Sequence, residues 1–174
     1  ITGSATGHGY AKYGDGSGLP NYGPTGNSLD VVAHEFTHGV TGSESGLIYQ
    51  GASGALNESI SDIFGLMAGQ RNDTDWLIGE DYKLPGDLTV GIRSFSNPTA
   101  YTQPDHMDDY ATPNAGGSVY DQRCHNPPKN DNDCVHINSG IPNKAAYLMA
   151  AGGSHHGVVV DPLDGTIAAS RVLL

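Results

Sequence analysis

The first clear periodic pattern in the chain is helical. Val31, Val32 and Phe36 fall largely on one side of this helix, whereas His34 and His38 fall on the other. An amphipathic helix buries its apolar side, so the pattern predicts that the valines and the phenylalanine pack against a core. The polar side would then face solvent or a binding site.

A second helical pattern covers residues 54–65. Its apolar residues recur at helical spacing, namely Leu56, Ile60, Ile63 and Phe64. Glu58 and Asp62 are four residues apart and share the opposite edge, where they are either two solvated acids or part of a binding site. The Gly- and Ser-rich linker 40–53 favours a turn that returns the second helix to the first.

The rest of the chain gives weaker signals. Residues 135–151 predict a third helix, and residues 82–126 show little periodicity and predict a long irregular connection. The glycine-rich residues 1–18 predict short strands or irregular segments. The side chains of His155 and His156 are expected to diverge and to lie on the surface, because the two residues are adjacent.

The charge of the chain narrows its range of partners. The 174 residues include 8 Lys and Arg against 19 Asp and Glu, which gives a formal net charge of −11. This balance argues against nucleic acid or an anionic membrane as a partner. No apolar run approaches the length of a membrane span, and no charged and apolar leader is expected at the N-terminus. The length suits one domain or two small lobes.

The state of the two cysteines indicates the redox compartment in which the protein is found. Cys124 and Cys134 have nine residues between them, which is not the spacing of a C-x-x-C metal pair. A disulfide that closes a surface loop is favoured, and two free thiols remain an alternative. A bridge would indicate an oxidising compartment, so we expect a secreted, extracellular protein.

The histidines of the first helix are candidate metal ligands. His34 and His38 are separated by close to one helical turn, so both imidazoles can reach one metal ion. Glu35 can then reach a water at that ion, and Glu58 can supply a third zinc ligand. Asp62 is placed to accept the second ring N–H of a ligating histidine, which we expect to be His34. The alternative is a helix with two surface histidines.

Three segments together resemble the thermolysin-like neutral metallopeptidases: HEFTH, GLIYQGASGALNESISDIFG and VHINSGIPNKAAYL. The resemblance runs from about residue 13 to about residue 160. It implies an α+β fold with a mainly helical zinc-binding core, a short β-rich N-terminal part and a missing C-terminal helical lobe. Residues 1–29 would then be the remainder of an N-terminal lobe, and residues 30–174 the catalytic core.

The resemblance also implies roles for individual residues. The zinc ligands would be His34, His38 and Glu58. The general base would be Glu35, and the groups that stabilise the tetrahedral intermediate would be Tyr49 and His136. The residues that support these groups would be Asn57, Asp62 and Asp131. The residues that bind substrate would be Arg93, Val31, Ile78 and Ile92.

Calcium is a second metal that the resemblance implies. Asp30, Asp75 and Glu80 match calcium ligands of the family, and oxygen-rich clusters suit this ion. Two further acids of the family site are replaced here, apparently by Leu77 and around Gly69, so one calcium ion or none is expected. Asp30 is also expected to cap the first helix. A solvated acidic loop remains the alternative.

The expected function is that of a secreted zinc metalloendopeptidase. It would cut peptides and proteins on the amino side of bulky hydrophobic residues, with a zinc-activated water and Glu35 as the base. A zinc-binding but weak or inactive fragment and a calcium-stabilised interaction module are the alternatives. A second chain that supplies the missing lobes is also left open.

Overall fold

Helices dominate the part of the chain that the structure describes, with three small antiparallel strand pairs beside them. The computed structural model describes residues 2–3, 9–10, 13, 24–69, 75–81 and 91–163. In that part the helices are α1 (Leu29–Glu44), α2 (Gly51–Gly69), α3 (Val119–Cys124), α4 (Asn130–Asn138) and α5 (Gly140–Ala151). The strand pairs are β1 (Thr2–Gly3) with β2 (Gly9–Tyr10), β3 (Leu77–Ile78) with β4 (Arg93–Ser94), and β5 (Gly153–His155) with β6 (Val158–Val160).

The pairing of α1 with α2 brings together most of the residues of the site. The start of α1 lies against the end of α2, and His38 lies against Asn57 near the start of α2, so the two helices run antiparallel. A Cβ atom added at Gly65 would lie 2.6 Å from the carbonyl oxygen of Asp30. Only a residue without a side chain permits this approach.

The buried face of α1 is polar, which corrects the sequence prediction. Its buried residues are Asp30, His34, Thr37 and Thr41. Phe36 is instead 62% exposed, although Val31 does pack against a core cluster. The helix turns its histidine side toward α2 because Glu58 and Asp62 of α2 are there, and both acids are fully buried.

On α2, too, apolar residues predicted to be buried are exposed: Leu56 is 43% exposed and Phe64 is 38% exposed. Polar contacts therefore fill the space between α1 and α2. The larger apolar core cluster lies beside them and consists of Leu66, Ile78, Phe95 and Ala146. It joins α2 and α5 to the short β3 and β4 strands.

A second core cluster surrounds a disulfide between Cys124 and Cys134, so the structure resolves the pairing that the sequence left open. Both cysteines are buried, and Ala111 and Ile137 pack with them. The bridge attaches the end of α3 to α4.

The backbone before His136 forms a left-handed turn. Asn130 to Cys134 all have positive φ, between 47° and 65°. Asp and Asn tolerate this conformation better than most residues, and they supply four of the five positions. The predicted helix 135–151 is confirmed in its limits, because right-handed helical backbone begins at Val135, after this turn, and α5 ends at Ala151; Ser139 separates the end of α4 from α5.

Two further corrections concern local elements. The stretch 91–126 is less irregular than predicted, since it contains β4, α3 and 3-10 helices at Pro98–Tyr101 and Met107–Asp109. Asp30 lies inside the first turn of α1, and Ser28 occupies the cap position. Most of the predicted N-terminal segment 1–29 lies outside the described residues.

Within the described residues of the chain, no helix has the length and apolar character needed to cross a bilayer.

Substitution of Gly65 by Ala tests the helix contact. The added methyl group would meet the Asp30 carbonyl, so we expect the free energy of unfolding to fall by about 1–3 kcal/mol. Gly42→Ala is the matched control, because Gly42 also lies in a helix but has no atom within 4 Å of its added Cβ. The control should gain about 0.5–1 kcal/mol. Denaturant unfolding of both variants gives the comparison, and equal effects would contradict the close contact.

Candidate metal centre

Two histidines of α1 and one glutamate of α2 converge on one point. His34 Nε2 and His38 Nε2 are 3.0 Å apart. The carboxylate of Glu58 lies 3.5 Å from His34 Nε2 through Oε2 and 3.2 Å from His38 Nε2 through Oε1. Tetrahedral zinc ligands at ordinary bond lengths stand roughly 3.4 Å apart. The three side chains therefore have the spacing of a zinc ligand set.

The environment of Glu58 suits a metal ligand. Its Oε2 atom is buried and has no hydrogen-bond partner among the described residues. Burial raises the pKa of this carboxyl, but the hydrogen bond with His38 and the nearby positive charges outweigh it and lower the pKa to about 2. A buried, ionised carboxylate beside two imidazoles is a donor set that zinc accepts.

Each histidine has a second contact that fixes its ring. His34 Nδ1 lies 2.8 Å from Asp62 Oδ1, and His38 Nδ1 donates to Asn57 Oδ1 at 2.7 Å. Ser61 Oγ lies 3.1 Å from the same His38 nitrogen. These contacts hold both Nε2 atoms toward the shared point, as partners of metal-binding histidines do.

Asp62 joins the histidines to the rest of the protein. Arg93 donates to it through Nε at 2.7 Å and through Nη2 at 2.5 Å, and Asn143 of α5 donates at 2.8 Å. Burial raises the pKa of Asp62, but Arg93 and His34 hold it well below its ordinary value. The buried carboxylate is thus charged and fully bonded, which makes it a rigid support for His34.

Glu35 faces the same cavity as the three convergent side chains. This cavity has a volume of about 450 Å³, and its wall includes Glu35, Leu47, Tyr49 and His136. The size lies within the range of sites for small molecules or peptide segments. Glu35 follows His34 directly on α1, so the helix that presents the histidines also presents this carboxylate.

Tyr49 and His136 also contact Glu58. The Tyr49 hydroxyl donates to Glu58 Oε1 and lies 3.2 Å from His136 Nε2. Asp131 accepts from His136 Nδ1 at 2.5 Å and from its backbone N–H at 3.0 Å. Burial lowers the pKa of His136, but the bond to Asp131 and the charge of Glu58 raise it overall. The left-handed turn brings the Asp131 carboxylate within hydrogen-bond distance of the His136 ring.

The residues expected to bind substrate are divided between two places. Ile92 and Arg93 line a smaller cavity of about 240 Å³ together with His136. Val31 and Ile78 pack in the core cluster instead, and Ile78 is 1% exposed.

The acids expected to bind calcium lie near one another. Burial, followed by repulsion from Asp30, Asp75 and Asp81, raises the pKa of Glu80 to about 7. Asp30 accepts from the backbone of Val31 at 2.7 Å and also from the backbone N–H of Gly79. In the described part of the chain, however, Asp30, Asp75 and Glu80 do not form a group within reach of one shared ion.

Sequence analysis missed three polar residues that support the site. Ser61 contacts His38, Asn143 contacts both Asp62 and Ser59, and the Gln103 side chain donates to the His136 carbonyl at 2.6 Å. Ser61 could have been found, because it lies four residues after Asn57 on the same face of α2. Asn143 and Gln103 come from distant segments, so helical spacing carries no signal for them.

Comparisons with known proteins agree with this geometry. The model of the thermolysin metallopeptidase α-helical domain matches residues 45–169, and the model of the thermolysin metallopeptidase catalytic domain matches residues 5–42. Bacillolysin of Brevibacillus brevis is 48% identical over 157 residues, which cover 90% of this chain and 26% of that protein. Thermolysin of Alicyclobacillus acidocaldarius subsp. acidocaldarius is 46% identical over 151 residues, which cover 85% of this chain and 24% of that protein.

A solved structure is also similar. The precursor of protealysin, a metalloproteinase from Serratia proteamaculans, superimposes with a TM-score of 0.63 at 41% identity, over 79% of this chain and 42% of that one. The chain spans only about a quarter of the length of the curated relatives it matches. The two family models together cover most of the chain, from residue 5 to residue 169. The chain therefore belongs to the thermolysin family of metallopeptidases.

Proposed function

We propose that this chain is a zinc metalloendopeptidase that hydrolyses peptide bonds. The observation that carries the proposal is the convergence of His34, His38 and Glu58 at 3.0–3.5 Å, with Glu35 on the wall of the same cavity. Membership of the family implies zinc, and the two imidazoles and the buried carboxylate fit that ion. When bound, zinc supplies Lewis acidity, which polarises a carbonyl and lowers the pKa of water to about 7.

Glu35 is the proposed general base. It takes a proton from the attacking water and passes this proton to the nitrogen of the departing amine. The carboxylate is well suited to this task because it is fixed on the same rigid helix as two of the proposed metal ligands. Asp62 and Asn57 serve as positioning residues that hold the two imidazoles in place.

Tyr49 and His136 are the proposed donors to the oxyanion of the tetrahedral intermediate. Their polar atoms lie 3.2 Å apart, and both lie beside Glu58. Asp131 keeps a proton on His136 Nδ1 and orients the ring, so that Nε2 faces the cavity. A charged imidazole stabilises negative charge better than a neutral one.

Arg93 and Ile92 are proposed to bind the substrate on the amine side of the cut. The bonds to Asp62 use two of the five N–H donors of the guanidinium, and another donor can bind a backbone carbonyl. Ile92 lines the cavity of about 240 Å³ beside it, which suits an apolar side chain. We therefore propose cleavage on the amino side of bulky hydrophobic residues, with Val31 and Ile78 shaping this region from the core.

Secretion is the proposed location. Its support is the disulfide between Cys124 and Cys134, since such bridges persist in oxidising compartments. The proposed partners are peptides and proteins as substrates. The net charge of −11 gives no support to a nucleic-acid partner or an anionic membrane surface.

The Glu35→Gln variant tests the assigned base. The amide cannot accept the proton, so hydrolysis of a blocked dipeptide should fall roughly 10²- to 10⁴-fold while the zinc content stays the same. Glu44→Gln is the matched control, because Glu44 is an exposed residue at the end of the same helix. Full peptidase activity in Glu35→Gln would exclude this role.

The same assay separates the proposal from its main rival, a zinc-binding but inactive fragment. The rival requires the unaltered chain to hold zinc and to show no turnover. Measurable turnover that is lost in Glu35→Gln supports the peptidase.

Substitutions at His136 and in the left-handed turn that precedes it test the oxyanion donors. His136→Gln should lower kcat roughly 10²- to 10³-fold, with a smaller change in KM. Asp131→Asn should lower kcat by a lesser factor, because the ring loses its orienting charge. Asp133→Asn is its matched control, since Asp133 lies in the same turn but contacts Gln50. An equal loss in both aspartate variants would indicate damage to the turn and would contradict the assignment.

We propose that calcium binds at Glu80 and draws Asp30 and Asp75 toward it, because in the described part of the chain the three acids do not form a group within reach of one ion. The support for this site is the match to family calcium ligands and the burial of Glu80 Oε2, which has no hydrogen-bond partner among the described residues. Calcium should raise the midpoint of thermal unfolding of the unaltered chain, and Glu80→Gln should abolish most of this rise. Glu44→Gln should retain it. An equal calcium effect in both variants, or none in the unaltered chain, would favour the solvated acidic loop.

A further inference from the structure

Two adjacent histidines at the tip of the β5–β6 hairpin have rings that meet, which corrects the prediction that they diverge. Their ring centroids are 4.5 Å apart and the rings are nearly perpendicular. His155 pairs with Val158, so His156 and Gly157 form a two-residue loop. Both loop residues have positive φ, 47° and 79°. The alternation of side chains along a strand therefore ends at His155, and it does not separate the two rings.

The conformation of His156 is a costly one for a residue with a side chain. Positive φ at both central positions is the pattern of a type I′ turn, in which Asn or Gly usually occupies the first position. His is enriched in this region relative to most residues, but it still carries strain. Strained turns that persist are frequent at binding sites.

A third polar side chain comes from a distant segment. Asp105 lies between the 3-10 helices of residues 98–101 and 107–109, fifty positions before His155. One ligand atom from each of Asp105, His155 and His156 lies within 4.8 Å of the other two. The Asp105 carboxylate is 3.8 Å from His156 Nε2. This is slightly longer than the roughly 3.4 Å between two tetrahedral zinc ligands.

The surrounding contacts fix the orientation of these side chains. His155 Nε2 donates to the backbone carbonyl of Asp105 at 3.0 Å, which leaves the lone pair on its other ring nitrogen. A carbonyl partner of this kind is typical of metal-binding histidines. His106 stacks on His156 with 4.1 Å between ring centroids and holds that ring in place. Asp108 and Asp109 lie nearby along the chain and add negative charge that favours a cation.

We propose that Asp105, His155 and His156 form a second site for a divalent transition metal of the zinc class. Two imidazoles and one carboxylate suit zinc, copper or nickel better than calcium or magnesium. The site is accessible, because the side chain of His156 is 46% exposed and that of Asp105 is 18% exposed. It is separate from the candidate centre on α1 and α2, and it does not depend on the proposed peptidase activity.

The consequence of metal binding at this site is mechanical. The ion would attach the β5–β6 hairpin to the segment that contains Gln103. Gln103 lies two residues before Asp105, and its side chain bonds to the carbonyl of His136. Metal binding should therefore stabilise the folded chain and hold this segment against α4.

Zinc counting tests the proposal. The full chain is stripped with a chelator, dialysed against buffered zinc, and analysed by atomic emission spectrometry together with protein quantification. We expect two zinc ions per unaltered chain, and one each in Asp105→Asn and His156→Asn. Asn is chosen at position 156 because it accepts positive φ and so preserves the turn. The matched control Asp108→Asn removes an acid that is 89% exposed in the same segment, and it should still bind two ions.

A second background separates the two sites. His38→Asn removes a ligand of the candidate centre, so it should keep one zinc ion, and its thermal unfolding midpoint should still rise when zinc is added. The double variant His38→Asn with His156→Asn should bind no zinc, and added zinc should not raise its thermal unfolding midpoint. One zinc ion in the unaltered chain, or two ions retained in both Asp105→Asn and His156→Asn, would overturn the proposal.

Discussion

The close approach of α1 and α2 at Gly65 is the constraint on which the site depends. Because Gly65 has no side chain, the Asp30 carbonyl can lie against the backbone of α2. This contact brings the histidine side of α1 within reach of Glu58 and Asp62, which are fully buried. A wider separation would remove His34 and His38 from these two buried acids, at a cost in free energy. The helix pair therefore folds tightly only with its polar groups matched.

The polar interface continues as one network of charge-assisted contacts. Asp62 accepts from Arg93 and from Asn143 and lies beside the ring of His34, and these three residues belong to three different elements. Asn57 and Ser61 perform the equivalent task for His38. Such networks are rigid when all their members are satisfied. The donor set of the candidate centre is thus held in place by the fold, and the apolar clusters lie beside it.

Much of this site was predictable from spacing, and the reason is local. A four-residue separation on a helix fixes the neighbours of His34 and His38, and likewise those of Glu58 and Asp62, before any tertiary contact forms. The α+β fold followed from the resemblance, and the comparisons confirm it. Hydrophobic periodicity failed for the orientation of both helices, because it assumes an apolar interface. Phe36 is exposed because α1 turns its polar side, and not its apolar side, toward α2.

The remaining features depend on contacts that have no period in the sequence. Five consecutive residues with positive φ before Val135 cannot be read from propensity, although the run of Asp and Asn permits them. Gln103, Asn143 and Asp105 contact residues 33 to 84 positions away. The meeting of His155 and His156 depends on one turn type. Tertiary context decides each of these features.

The most direct test of the central claim is a crystal structure of the zinc-loaded chain with anomalous data collected at the zinc edge. Our account predicts an anomalous peak at about 2.0–2.2 Å from His34 Nε2, His38 Nε2 and a Glu58 oxygen, with Glu35 facing the open side of the ion. A structure in which Glu58 points away from both imidazoles, with no metal between α1 and α2, would contradict the account.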